Sequence, residues 1–173
     1  MSHIEMMRLA EKVALKSVCK RAQVGAVVVD HLDGMAAYAG YNRNPCGGAC
    51  EGMDGKTLPD VLHAEAAAIN NAHTYLDDLC GCVLYVTRQP CINCAKLIVD
   101  AGISAVYYRD ADDKVDGIGH LLAHGVAVNS GWLKEQMRAQ TLERVQGAWA
   151  DRWQSARDAC PQKGELVCCG GVR

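Results

Sequence analysis

The chain predicts a layered α/β domain whose later strands run parallel through helical crossovers. Three observations carry this. A helical stretch opens the chain and a short hairpin follows it. After the hairpin, β-branched runs alternate with helical stretches. Half of the 173 residues are hydrophobic, which is ample for one compact core.

Each element has its own signal. Ile4, Met7, Ala10, Val13, Ala14 and Val18 form an apolar stripe, predicting a helix over Ile4–Cys19. Val24 to Val29 is a β-branched run of the kind found in buried strands, and Met35 to Tyr41 is its antiparallel return across a turn at His31–Gly34. Asn42 to Asp60, rich in Gly, Pro, Asn and Asp, reads as a long loop, and long loops inside compact domains are often functional. His63 to Ala72 is alanine-rich and helical in propensity. A strand at Cys82–Thr87, a helix at Cys91–Ala101 stopped by Gly102, and a strand at Ser104–Tyr108 follow. After an acidic loop at Asp110–Gly117, a short helix over Ile118–His124 ends at Gly125, and Val126–Val128 is the last strand. One domain is expected over 1–130. Residues 131–173 read as its extension: an amphipathic helix over Trp132–Arg157 docked on the core, then a frayed tail.

Composition excludes some functions. The net charge is −2 and no Lys/Arg stripe is present, which argues against a polynucleotide partner. No apolar stretch approaches the roughly 18 residues needed to span a bilayer, and no signal-peptide layout is seen, so no membrane partner and a cytoplasmic location are expected. In that compartment ten cysteines point to metal ligands or free thiols rather than a disulfide framework.

The chemistry concentrates between His63-Ala64-Glu65 and Pro90-Cys91-Ile92-Asn93-Cys94. Zinc takes imidazole nitrogen and thiolate sulfur in tetrahedral geometry, and three protein ligands leave a fourth position for water. Cys91 and Cys94 share one face if they open a helix, whose positive end favours thiolates. His63 supplies the third ligand. Glu65 is placed to face the water rather than the metal, taking its proton and returning it to a ring nitrogen and a leaving amine. A closed structural zinc site, or reduced core thiols, is the bland alternative for the same residues. His-x-Glu followed by Pro-Cys-x-x-Cys is a known zinc deaminase signature.

Beyond this stretch the chain resembles the cytidine/deoxycytidylate deaminase superfamily, and most of all its phage-type deoxycytidylate (dCMP) deaminases. The likeness runs from the first helix to about residue 129. It rests on Cys19 through Val24-Gly25-Ala26-Val27-Val28, then Gly40-Tyr41-Asn42, Leu62-His63-Ala64-Glu65, Tyr85-Val86-Thr87, Pro90-Cys91-Ile92-Asn93-Cys94-Ala95-Lys96, Ala101-Gly102-Ile103 and Val106-Tyr107-Tyr108-Arg109. The resemblance implies a three-layer cytidine deaminase-like fold with a five-stranded mixed sheet flanked by helices. It implies catalytic zinc on His63, Cys91 and Cys94, with Glu65 as proton shuttle, Asn42 on the nucleoside and the Ala64 amide on the pyrimidine carbonyl. It also implies a homo-oligomer, often a hexamer, and control by dCTP and dTTP with magnesium.

Two positions depart from that pattern. Ala67 stands where these enzymes usually carry Asn, and Asp112 and Asp113 stand where a Tyr and often a basic residue follow. Two carboxylates aimed at a 5′-phosphate would repel it by a few kcal/mol, so either this loop is rearranged, or Arg43 and Arg109 are the phosphate contacts, or the substrate is not dCMP. Cys19 and Cys50 match two ligands of a second, structural zinc in some relatives, and Cys46 is a candidate third. Cys80 and Cys82 read as core packing, and Cys160, Cys168 and Cys169 as unpaired thiols. The leading expectation is hydrolysis of dCMP to dUMP, supplying thymidylate synthesis. Deamination of deoxycytidine or a 5-substituted dCMP, a polynucleotide-editing activity, and an inactive zinc-bearing regulator are the alternatives.

Overall fold

Five consecutive apolar or small residues with no polar interruption make β1 (Gly25–Val29), and the strand is buried along its length. A strand with both faces covered belongs near the middle of a sheet. In the computed structural model, which describes residues 2–30, 36–113 and 115–130, β1 pairs on both sides. It runs antiparallel to β2 (Ala37–Tyr41) and antiparallel to β3 (Val83–Arg88). β4 (Ala105–Asp110) and β5 (Ala127–Ser130) then add parallel, giving the order β2-β1-β3-β4-β5. The sheet is five-stranded and mixed, as expected.

Strand alternation sorts the two faces. Ala26, Val28, Leu84, Val86, Val106 and Tyr108 point into one core. Across it lie α2 (Ala64–His73) with Ala68 and Ile69, α3 (Ile92–Asp100) with Ala95 and Ile98, and α4 (Asp116–Ala123) with Leu121. α1 (His3–Ala14) covers the other face, where His3 Nδ1 lies 2.7 Å from the buried Tyr85 hydroxyl. Helix, sheet and helices make three layers.

Several boundaries moved. α1 stops at Ala14 rather than Cys19, and Leu15 and Val18 are exposed at 74% and 71%. The reason is a competing bond: Ser17 Oγ donates to the Asn42 carbonyl at 2.8 Å and accepts the Cys19 amide, pulling the chain out of the helix. α2 and α3 each begin one residue late, leaving His63 and Cys91 as N-caps. α4 begins two residues early, inside the expected acidic loop.

Gly40 on β2 is where α2 comes closest. A Cβ there would lie 2.2 Å from the Ala68 amide nitrogen and 2.7 Å from the Ala64 carbonyl. Only glycine lets the start of α2 sit this tightly on the sheet. Ala67 is 1% exposed in this contact and turns away from solvent.

The chain divides into two units, Met1–Glu135 and Gln136–Arg173, and the second lies outside the described residues. The helix expected over Trp132–Arg157, the turn at His31–Gly34 and the three tail cysteines lie outside them as well. No helix among the described residues is long and apolar enough to cross a membrane.

Candidate metal centre and nucleotide cavity

Two helix N-termini converge beyond the end of β3. His63, extended at φ −73° and ψ 155°, caps α2; Cys91, at φ −74° and ψ 169°, caps α3. Neither side chain satisfies its own helix, so both are free to point at a common centre. Cys94 is the third residue of α3 and turns to the same side. His63 Nδ1 lies 3.3 Å from Cys94 Sγ and 3.6 Å from Cys91 Sγ. One nitrogen and two sulfurs, mutually within 4.8 Å, are a donor set that fits zinc, and among the described residues this is the only such group.

Electrostatics agree with the geometry. Hydrogen bonds from Cys94 and then His63 pull the Cys91 thiol well below its usual range. Cys94 is pushed up, because its proton is shared with Cys91 and because it is buried beside Glu65. The bond to Cys91 raises His63. Glu65, on the first turn of α2, is 4% exposed, and burial lifts its carboxyl to about 7. It reaches the Cys94 sulfur, placing a proton-exchanging group against the donor set.

A cavity of about 350 Å³ opens over these residues, the size of a small-molecule site. It sits outside the carboxyl end of β3, where open α/β sheets hold ligands. His63, Ala64, Glu65 and Cys91 form part of its wall, and Asn42 another part. Asn42 Oδ1 accepts the Val24 amide and Nδ2 donates to the Ala22 carbonyl, both at 2.8 Å. The side chain therefore shapes the wall, with one proton and one lone pair left for a ligand.

The expected phosphate contacts lie elsewhere. Arg109 donates to Glu11 at 2.7 Å and to Asp110, and it lines a separate cavity beside α1. The carboxylate of α1 outcompetes the cleft for it. Arg43 bridges to Leu62 and holds its guanidinium 5.5 Å from the Tyr41 ring centroid, outside the lining of the metal cavity. The cations that do line it are Arg21 and Arg88, neither of which sequence reasoning singled out. Arg88 carried a usable signal: it closes a strand three residues before a zinc ligand. Arg21 carried none.

The expected second metal set of Cys19, Cys46 and Cys50 does not assemble. Cys19 and Cys50 are joined in a disulfide and buried with Val61, while Cys46 is exposed and free in the following turn region. Two thiols brought together in an apolar cluster are placed to bond each other, and Cys46 forms no three-donor group with them. One bridge thus stands among cysteines expected as metal ligands or free thiols, and the other five described cysteines are free. Cys82 packs in the core as expected, but Cys80 is exposed.

The family described as cytidine and deoxycytidylate deaminase zinc-binding region matches residues 1–110. A deoxycytidylate deaminase of Mycobacterium phage D29 is 40% identical over 118 residues, covering 58% of this chain and 88% of that one. The human deoxycytidylate deaminase is 35% identical over 121 residues, 62% of this chain, and the match spans 66% of the human protein. A dCMP deaminase from cyanophage S-TIM5, solved with dCMP and dUMP, superposes with a TM-score of 0.67 at 38% identity, covering 72% of this chain and 93% of that one. The matched span contains His63, Glu65, Cys91 and Cys94 together, and with it the chain belongs to the cytidine and deoxycytidylate deaminase family.

Proposed function

We propose that this chain hydrolyses dCMP to dUMP and ammonia, with Glu65 as the proton shuttle and His63, Cys91 and Cys94 as zinc ligands. The observation that carries the reading is the buried Glu65 carboxyl set against three converging zinc donors at the wall of a nucleotide-sized cavity. The deoxycytidylate deaminases among its relatives support the substrate.

Zinc bound to these three side chains would supply Lewis acidity, bringing a water from a pKa of about 15.7 towards 7. The chain's own residues do the rest. Glu65 takes one proton from the attacking water and gives it to the ring nitrogen, then moves the second to the departing amine. The products are the C4 carbonyl and ammonia, with no redox change. Burial lifts Glu65 to about 7 even against the lowering effect of a backbone hydrogen bond, so the group can both hold and release a proton near neutrality. The Ala64 amide, at the open start of α2, has no partner within its helix and suits the pyrimidine carbonyl. Asn42 orients the sugar with its remaining proton and lone pair.

Two finer parts of the reading rest on family likeness, a hexameric homo-oligomer and regulation by dCTP and dTTP with magnesium, and two rest on the sequence, a cytoplasmic location and one deaminase domain over 1–130 extended by 131–173. The decisive experiment is turnover of cytidine, deoxycytidine, dCMP and dCTP followed by ultraviolet absorbance, with and without dCTP and dTTP as effectors. dCMP is expected to react with the highest kcat/KM. Nucleosides reacting as well as dCMP would overturn the substrate assignment.

A further inference from the structure

The metal cavity is lined by two basic residues, Arg21 and Arg88, and by two acidic residues besides Glu65, namely Glu51 and Asp112. Their pairing is specific. Glu51 Oε1 accepts the backbone amide of Arg21 at 3.0 Å. Asp112 Oδ2 accepts both Nε and Nη2 of Arg88, at 3.2 and 2.6 Å. The Asp112 charge, which in isolation would repel an anionic ligand, is thus offset by a cation in direct contact.

The loop carrying Asp112 is bolted to the end of β3. The Gln89 amide donates to the Asp110 carbonyl at 2.9 Å, and the Asp112 amide donates to Gln89 Oε1 at 3.2 Å. Gln89 is 8% exposed, so this clasp lies inside the fold and fixes where the Asp112 carboxylate stands. That carboxylate in turn engages the Nε–Nη2 edge of Arg88. A guanidinium has five donors; Nη1 and the second Nη2 proton have no protein partner among the described residues. Arg88 is therefore an oriented cation with a spare donor edge, on the wall shared with His63, Glu65 and Cys91. A planar fork of this kind matches a phosphate.

We propose that Arg88, oriented by Asp112 through Gln89, determines specificity in this cavity by binding the 5′-phosphate of the nucleotide. This rests on the dCMP reading and deepens it. It replaces Arg43 and Arg109 in the phosphate role, because Arg109 is committed to Glu11 and Asp110 and Arg43 to Tyr41. It also accounts for the acidic residue at position 112, whose task is to hold the guanidinium rather than to meet the ligand.

The test compares kcat/KM for dCMP with kcat/KM for deoxycytidine in the wild type, Arg88→Gln and Arg88→Lys, with zinc content measured on each. Calorimetric binding of dUMP and deoxyuridine provides a second readout that needs no turnover. For Arg88→Gln the dCMP-to-deoxycytidine ratio should fall about tenfold or more, the equivalent of roughly 1.4 kcal/mol. The loss should lie in KM for dCMP, and dUMP binding should weaken by a similar factor. Arg88→Lys, which keeps the charge and loses the fork, should recover part of the ratio. A ratio within about twofold of wild type, or equal losses on both substrates, overturns the assignment. If Arg88→Gln fails to hold zinc, Arg88→Lys decides: a ratio within about twofold of wild type overturns the assignment, and a lower one supports it. A wild type that treats dCMP and deoxycytidine alike overturns the dCMP reading and this inference together. A selective wild type with an unaltered Arg88→Gln ratio overturns this inference alone.

Discussion

His63 and Cys91 occupy the same position on two different helices: each is an extended N-cap that leaves its own helix uncapped, and their ligand atoms are 3.6 Å apart. Two positive helix ends thus face one point, which favours thiolate and disfavours imidazolium. Zinc needs neutral imidazole and deprotonated sulfur. The bond to Cys91 holds the His63 proton to a higher pH than an ordinary histidine would, and Cys94 keeps its proton too. Zinc binding must displace these protons. Apparent affinity should fall as pH drops, by about tenfold per pH unit for each proton displaced. Competition with a chromophoric chelator between about pH 6 and pH 8 measures the slope, and a flat profile would contradict the proton count.

Removing the metal should expose a reactivity contrast. In the zinc-free protein Cys91 is held as a thiolate, whereas burial pushes Cys82 up to about 11. Iodoacetamide near pH 7 should modify Cys91 early and leave Cys82 untouched. Zinc should protect Cys91 and Cys94 but not the exposed Cys46. Peptide mass spectrometry resolves each site.

Glu65→Gln should separate activity from stability. Turnover should drop by at least about 10²-fold with zinc retained. In the metal-free fold the Glu65 carboxyl is raised from 4.5 to about 7, so the folded chain binds more protons than the unfolded one in between. The wild type then loses stability as pH rises through that window. The variant should match the wild type near pH 4 and exceed it by roughly 1–3 kcal/mol near pH 8. Denaturant melts of the zinc-free proteins at both pH values check the sign.

Gly117 opens α4 directly against the zinc knuckle. A Cβ there would meet the Pro90 carbonyl oxygen at 2.3 Å and the Cys91 carbonyl carbon at 3.0 Å, whereas one at Gly119 would meet nothing within 4 Å. Gly117→Ala should push the Cys91 backbone aside, costing about 1–3 kcal/mol and weakening zinc binding. Gly119→Ala, in the same helix, should be neutral or stabilising by up to about 1 kcal/mol. Equal zinc affinity in the two variants would refute the contact.

The Cys19–Cys50 bridge closes a 31-residue separation that includes Asn42 and part of the cavity wall. In the chain-entropy account a loop of this length stabilises by about 3–4 kcal/mol. Reduction, or the double change Cys19→Ala/Cys50→Ala, should lower the melting temperature, and a melt unchanged by dithiothreitol would exclude the bridge.

Much of the site was legible from residue types and spacing, because its chemistry is local. His63 and Glu65 lie on one turn, Cys91 and Cys94 on another, and short-range helix geometry is enough to say that the two cysteines share a face while Glu65, two positions after His63, turns to a different side. The alternation of strands and helices made the layers readable for the same reason. What the tertiary structure decided was the partner of each charge and thiol. Arg109 is drawn off by Glu11, 98 positions away, Cys19 finds Cys50 rather than a metal, and Arg88 rather than Arg43 faces the cavity beside Asp112. Spacing along the chain sets which residues can meet within a helix or strand. Which distant carboxylate captures a guanidinium, and which sulfur another sulfur, depends on the packing of α1, β3 and β4, and that packing exists only in the folded chain.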